Sequence, residues 1–271
     1  MSASGQSCYA PNDNSTIDLR NKIAIVAALD REILPLVKNW PSSKLTHQSY
    51  EFTTYESDYA VIIRGGVGQE SARRAAEAVI EKYSPDLLIS AGIAGALVPE
   101  LHIGDTIFPT VVIDTQDSSR HETAIQTAPI ASTPLGRTVL ATYPEIATVS
   151  QKRQLAKSYG AHAVDMEAAA VARAAQKHNL PFLAVKSISD ELNFDLPEMN
   201  LFIRQGQFRT KRFVLYIAPR PWLWLRVIRL ARNTGRASRN LCAWLRESAL
   251  TNTIVPGVIA RTGETPVPPK T

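Results

Sequence analysis

A chain of 271 residues, 45% of them hydrophobic and with a formal net charge of +5, is long enough to bury a substantial core within one domain of ordinary size. Its two cysteines, Cys8 and Cys242, lie far apart and suggest neither a disulfide framework nor a thiolate metal site, and no run approaches the roughly 18 apolar residues of a membrane span. The first 20 residues are polar and lack the apolar centre of a secretory signal, so a soluble, cytoplasmic protein is expected.

In chain order, residues 1–20 read as a disordered leader rich in Ser and Asn. The apolar run Lys22 to Ala28 predicts a buried strand that passes into a helix at Leu29-Asp30-Arg31-Glu32. A hairpin-like stretch from Tyr50 to Arg64 ends in Gly65-Gly66-Val67-Gly68, ahead of a helix from about Gln69 to Tyr83. Such a glycine turn either offers backbone N–H groups to an anion or simply allows close packing. A second buried strand, Asp86 to Ala91, runs into the glycine-bearing loop Gly92-Ile93-Ala94-Gly95-Ala96, and Gly104-Asp105-Thr106-Ile107 opens a strand that continues to Ile113.

Residues 114–134 are polar and read as a long surface loop. A strand from Val139 to Tyr143, the turn Pro144-Glu145-Ile146-Ala147 and a helix from about Ser150 to Tyr159 follow. The stretch from Ala161 to Asp190 then gives strand, helix and strand: a short apolar run, an alanine-rich helix from about Glu167 stopped at Asn179-Leu180-Pro181, and a run from Phe182 to Ser187. Two carboxylates therefore stand at element ends. Glu167 lies at a helix N-terminus, where the macrodipole favours an ionised acid, and Asp190 follows a buried strand, at the edge where open α/β sheets gather ligands. A helix from about Leu201 to Ile217, the interruption by Pro219 and Pro221, a helical pattern from Trp222 to Leu245 and a disordered tail containing PVPPK complete the chain.

The motifs Met166-Glu167 entering a helix and Ser189-Asp190 after a strand, in this order along one chain, resemble the nucleoside phosphorylase superfamily, in particular the methylthioadenosine/S-adenosylhomocysteine nucleosidases. The resemblance covers roughly Lys22 to Ile217. It implies a three-layer α/β/α sandwich around a mixed, mainly parallel sheet, consistent with the alternation of apolar strands and helices. The expected division is a leader (1–20), a phosphorylase-like domain (21–218), a basic amphipathic helical extension (219–250) and a disordered tail (251–271).

The resemblance implies cleavage of the N-glycosidic bond of a purine nucleoside, most simply a 5′-substituted adenosine such as methylthioadenosine or S-adenosylhomocysteine. Asp190 is then the acid that protonates the leaving base near N7, Glu167 the acceptor of the ribose hydroxyls, and Met166 an apolar cover on the sugar. Ser189, Tyr143 and Ile146 are the candidates for base binding. The hydrolytic members carry a Glu on the helix after the first strand to activate water, and ungapped counting puts Arg31 there, with Asp30 and Glu32 one residue to either side. Arg31, Lys186 and Gly92 thus form a candidate nucleophile or phosphate group, which leaves hydrolysis and phosphorolysis open. Ile93 stands where the family offers a hydroxyl.

No cofactor and no metal are implied, with phosphate as a candidate co-substrate and a homodimer as the expected assembly. Two further readings stand beside this one: a phosphorylase acting on a lipid-linked adenosine, as in the hopanoid-associated relatives, and a nucleoside-binding protein of weak activity. From Met199 to Arg246 there are eleven Arg or Lys and no Asp or Glu. No recognised nucleic-acid motif accompanies them. On a helix from 222 to 245, arginines gather opposite Leu, Val and Trp, a pattern that fits either peripheral membrane contact or packing on the domain.

Overall fold

The computed structural model describes residues 22–124, 135, 137–195, 199–204 and 206–249. The expected leader and tail, and residues 125–134 of the expected loop, lie outside the described residues. Eleven strands form one mixed sheet with helices on both faces, the α/β architecture expected. The first strand, β1 (Ile23–Ala27), is buried along its whole length and alternates its side chains between two cores. Ala24 and Val26 face the helices α2 (Gln69–Tyr83) and α4 (Ala168–Lys177). Ile23, Ile25 and Ala27 face α1 (Asp30–Val37) and the long α6 (Pro221–Trp244). A strand buried on both faces must read as a continuous apolar run, which is why it is legible in the sequence.

The sheet is organised around β5 (Leu87–Ala96). The strand β11 (Phe182–Asp190) pairs in parallel along one edge, from Leu88 to Gly95. On the other edge β1 covers only Leu87 to Ser90, while β10 (Ala163–Asp165) joins antiparallel at Gly95 and Ala96. Between Ala91 and Ala94 that edge is left open. Such a split, where neighbouring strands diverge, is where α/β sheets form ligand crevices. On the outer flanks, β4 (Ala60–Arg64) is parallel to β1 and continues into the antiparallel β3 (Tyr50–Glu56) and β2 (Ser42–His47). Beyond β10 lie the parallel β9 (Val139–Thr142) and β7 (Val111–Asp114), then the antiparallel β8 (Arg120–Glu122).

Four local expectations change. The segment 92–96 is strand rather than loop, because β10 and β11 supply hydrogen-bonding partners on both sides of Gly95. The strand expected from residue 104 to Ile113 is broken into β6 (Thr106–Ile107) and β7, with Pro109, which has no N–H to give a ladder, in the gap. The expected long loop contains β8. The helix expected from Leu201 is instead a 3-10 turn (Met199–Phe202) and a small hairpin of β12 (Ile203–Arg204) and β13 (Gln207–Phe208), and only then α5 (Thr210–Ile217). Gly206 turns this hairpin at φ +74°, and its carbonyl accepts the N–H of Val67 at 2.7 Å.

The basic helix α6 does not stand apart at residue 219. Ala237, Leu241 and Cys242, with Leu245 just beyond it, are buried where α6 packs on α1, β5 and β11, so its second half is a layer of the domain. We expect Leu241→Ala to lower unfolding stability by about 2–5 kcal/mol, the usual cost of emptying a buried leucine site, measurable by urea denaturation. A change under about 0.5 kcal/mol would mean that this half of α6 is dispensable to the core.

Candidate functional site

A cavity of about 480 Å³ opens at the split in the sheet, a size usual for small-molecule sites. The start of α1, the turn before α3 (Val149–Tyr159), the ends of β10 and β11 and the inner sides of α5 and α6 surround it. Its floor is β5, where two glycines make room for ionised side chains. A Cβ on Gly92 would stand 3.4 Å from Glu32 Oε2 and 3.6 Å from Lys186 Nζ, and one on Gly95 only 2.8 Å from Asp190 Oδ2. The glycines thus mark two charged clusters, one on each side of Ile93.

The first cluster contains Glu32, Asp165, Glu167 and Lys186. Glu32 projects from the first turn of α1, and its Oε2 accepts the N–H groups of Ala28 and Leu29 at 3.1 and 3.2 Å. Burial raises its pKa, against the opposing pull of Lys186 and those N–H groups. Glu167 stands at the N-terminus of α4, and its Oε1 takes the N–H of Gly68 at 2.8 Å. Gly68 sits at φ +91°, so the glycine turn after β4 does bring an N–H to an anion, and the anion is a side chain of the same protein. Burial, Asp165 and Glu32 together push Glu167 up to about 7, against the pull of Lys186 and the Gly68 N–H. Lys186 is 1% exposed, pairs with Asp165 at 2.8 Å and donates to Ser90 Oγ at 3.1 Å. Burial alone would lower its pKa, but Asp165, Glu167 and Glu32 outweigh that and raise it.

Against this cluster lies a niche of about 10 Å³ walled by Glu32, Ser90, Gly92, Ile93, Glu167 and Lys186. That is room for about one water molecule. It shares Ala28, Glu32, Ile93 and Glu167 with the large cavity.

The second cluster is Asp190 with Ser189 and Lys152. Ser189 donates to Asp190 Oδ1 at 2.7 Å, and Lys152 donates to Asp190 Oδ2 and to the carbonyl of Glu191. Lys152 is only 1% exposed. Among the described residues, no group of three His, Cys, Asp or Glu side chains is placed to hold a metal ion.

The sequence-derived candidates separate on this geometry. Met166, Glu167, Ser189, Asp190 and Ile146 all line the cavity, and Gly92 and Lys186 line the niche. The backbone N–H and C=O of Ile146 are held by the side chain of Asn200. Tyr143 is not on the cavity wall; it packs beside Leu155 and Val164, and its hydroxyl accepts from Gln151 at 3.1 Å. Arg31 is exposed at the rim, 5.9 Å from the ring of Phe208, and the niche is walled by Glu32. The reason is the helical rotation of about 100° per residue: once α1 begins at Asp30, residue 32 turns inward and residue 31 outward. Asp30 points elsewhere, accepting from Arg64 at 2.6 Å.

Two functional-looking residues were not singled out in the sequence. Asp165 is the partner of Lys186, and Lys152 is the partner of Asp190. The spacing of Lys152 three residues before the buried Leu155 puts it on the inner face of α3, which was the available signal.

The model of the phosphorylase superfamily matches residues 22–141 and 126–215. The chain belongs to this superfamily. Among its relatives, the 5′-methylthioadenosine/S-adenosylhomocysteine nucleosidase of Shewanella halifaxensis is 27% identical over 204 residues, covering 65% of this chain and 89% of the relative. The aminodeoxyfutalosine nucleosidase of Campylobacter jejuni is 26% identical over 197 residues, covering 63% and 86%. In fold, the chain superposes on futalosine hydrolase of Helicobacter pylori with a TM-score of 0.63 at 18% identity, covering 85% of this chain and 97% of the other. A Helicobacter pylori methylthioadenosine nucleosidase variant with 5′-methylthioadenosine in its active site gives 0.59 at 18% identity, covering 84% and 99%. These superpositions carry the superfamily fold to this chain, and the sequence relatives are nucleosidases.

Proposed function

We propose that the protein is a purine nucleosidase that hydrolyses the N-glycosidic bond of a 5′-substituted adenosine such as methylthioadenosine or S-adenosylhomocysteine. The carrying observation is the one-water niche walled by Glu32 and Glu167 at the edge of the cavity. Glu32, fixed by two backbone N–H groups, takes a proton from water. Glu167 accepts the ribose hydroxyls, and its charge favours the cationic sugar of the transition state. Asp190, at the far end of the cavity, holds the base on its N7 side. Met166 covers the sugar.

Hydrolysis is favoured over phosphorolysis on two grounds. The niche has the volume of a single water, and three carboxylates face one lysine there, so a phosphate dianion would meet net repulsion. The positive charge of Lys186, which would suit an anion, is already matched by Asp165 at 2.8 Å. Incubation of the protein with methylthioadenosine, S-adenosylhomocysteine, adenosine and inosine, with and without phosphate, tests this. Free adenine and free sugar, at a rate independent of phosphate, are expected. A sugar 1-phosphate product would overturn it.

A second reading concerns the outer surface. Leu215, Trp222, Trp224, Leu225 and Ile228 are exposed on α5 and the first half of α6, beside the cavity-lining Val214, Val227 and Leu230. Exposed bases, Arg229 and Arg232 among them, surround these side chains in a stretch without acids. This composition supports contact with an anionic lipid surface, and it would place the cavity mouth beside the lipid, within reach of a nucleoside with an apolar 5′ group. A self-docked pair of chains would set the arginines against each other. No helix among the described residues is long and apolar enough to cross a membrane.

The full chain should sediment with phosphatidylglycerol vesicles at low salt and less at moderate salt. The variant Trp222→Ser/Leu225→Ser/Ile228→Ser should lose most of that binding and keep its cleavage of methylthioadenosine. Failure of the full chain to sediment, or a solution dimer that this variant breaks, would overturn the lipid reading, the latter in favour of a second copy.

A further inference from the structure

Lys152 has no part in the reaction as derived so far, yet it is a fully buried cation on the cavity wall, in direct contact with Asp190. Burying an ammonium is costly unless it is paired, and a residue used only to fill space here would be apolar. The local structure is built to keep the pair. Thr148 caps α3 by accepting the N–H of Gln151, which sets the helix so that residue 152 faces inward. The carbonyl of Glu191 accepts a second hydrogen bond from Nζ at 2.8 Å. Gly95 lies under both partners, where a Cβ would be 2.8 Å from Asp190 Oδ2 and 3.3 Å from Lys152 Cε.

Both oxygens of Asp190 already accept hydrogen bonds, one from Ser189 and one from Lys152. A carboxylate so engaged is an acceptor. The charged donor on this side of the cavity is the Nζ of Lys152.

We infer that Lys152 is the proton source for the departing purine, acting with Asp190 as one acid. This rests on the nucleosidase reading above. As the C1′–N9 bond breaks, its electron pair goes to the base, and the proton leaves Nζ for the base nitrogen, N7, either directly or through Asp190. Water adds to C1′ and gives its proton to Glu32. The sum is water plus nucleoside to free sugar plus neutral base, with Lys152 left as an amine and Glu32 protonated until solvent resets both. The pair also fits the edge of adenine, which presents an acceptor at N7 and a donor at N6, because Lys152 donates and Asp190 accepts. A 6-oxopurine presents two acceptors on that edge and would face the carboxylate with an oxygen.

The other ionisable groups on the cavity wall are Arg31, Glu32, Glu145, Asp165 and Glu167, with Lys186 behind Asp165, and on α3 itself Arg153 is exposed and bound to Asn193. Among the described residues, none of these is hydrogen-bonded or ion-paired to the Lys152 side chain.

The test is Lys152→Met, which keeps the length and apolar stem of the side chain, with Lys152→Arg as a variant that keeps the charge but cannot release a proton. Activity is read on methylthioadenosine and on 4-nitrophenyl riboside, whose leaving group departs without protonation. For Lys152→Met we expect kcat on the nucleoside to fall by about 10²-fold or more and turnover of the aryl riboside to stay within about threefold. Lys152→Arg should behave like Lys152→Met. Equal losses on the two substrates, or rescue by arginine, would overturn the inference and leave Lys152 a structural or purely electrostatic partner. Absence of nucleoside cleavage by the unmodified protein would instead strike the nucleosidase reading itself.

Discussion

Asp190→Asn is expected to lower the rate of adenine release from methylthioadenosine by about 10²–10⁴-fold, the range contributed by a general acid or its immediate partner. The amide keeps the shape of the carboxyl group and one acceptor oxygen, but it carries no charge and passes no proton. The substitution has a second effect. It leaves the Lys152 ammonium buried without its counter-charge, and breaking a buried pair in this way costs about 3–5 kcal/mol. Activity and stability can be separated with the double variant Asp190→Asn/Lys152→Met, in which no unpaired charge remains: its urea midpoint should recover most of the loss and its turnover should not. Wild-type turnover in Asp190→Asn would remove Asp190 from the chemistry, whatever its effect on folding.

Glu32→Gln is expected to be as severe, a loss of about 10²–10⁴-fold in kcat with KM changed no more than a few-fold. The glutamine carbonyl can still accept the Ala28 and Leu29 N–H groups that hold the side chain, so the niche survives while the base does not. The pH dependence has a definite sign. A base works in its ionised form, and burial raises the pKa of Glu32, so the rate rises as pH climbs through that raised value. Glu167, pushed up to about 7, contributes to the same low-pH limb, since the two carboxylates interact. In Glu32→Gln the part of the limb due to Glu32 should vanish and a limb near neutrality from Glu167 should persist. An unaltered kcat, or one restored by phosphate, would eliminate Glu32 as the activator of water.

The strands that are buried on both faces, and the order of the motifs, are legible in the amino-acid sequence. Ile23 to Ala27, Leu87 to Ala91 and Phe182 to Ser187 read as mainly apolar runs because each of these residues is buried, and the alanine-rich helix after Glu167 carries its own stop at Asn179-Leu180-Pro181. Glu167 and Asp190 were likewise placed at element ends by local pattern, while Met166 was marked by the family resemblance. The three-dimensional packing decided what local pattern cannot. Whether residue 31 or 32 faces the niche depends on where α1 begins, a matter of one residue and 100° of rotation. Lys152 and Asp190 are 38 positions apart and meet only because α3, packed through Leu155 beside Ala141 of β9 and Val164 of β10, carries the lysine to the end of β11. The segment 92–96 has the composition of a loop, and becomes strand because two distant strands flank it. The role of α6 was open for the same reason: its periodicity fixes which residues share a face, but only the neighbouring β11 and α1 decide that Leu241 and Cys242 are core and that Trp222 and Leu225 are left on the surface.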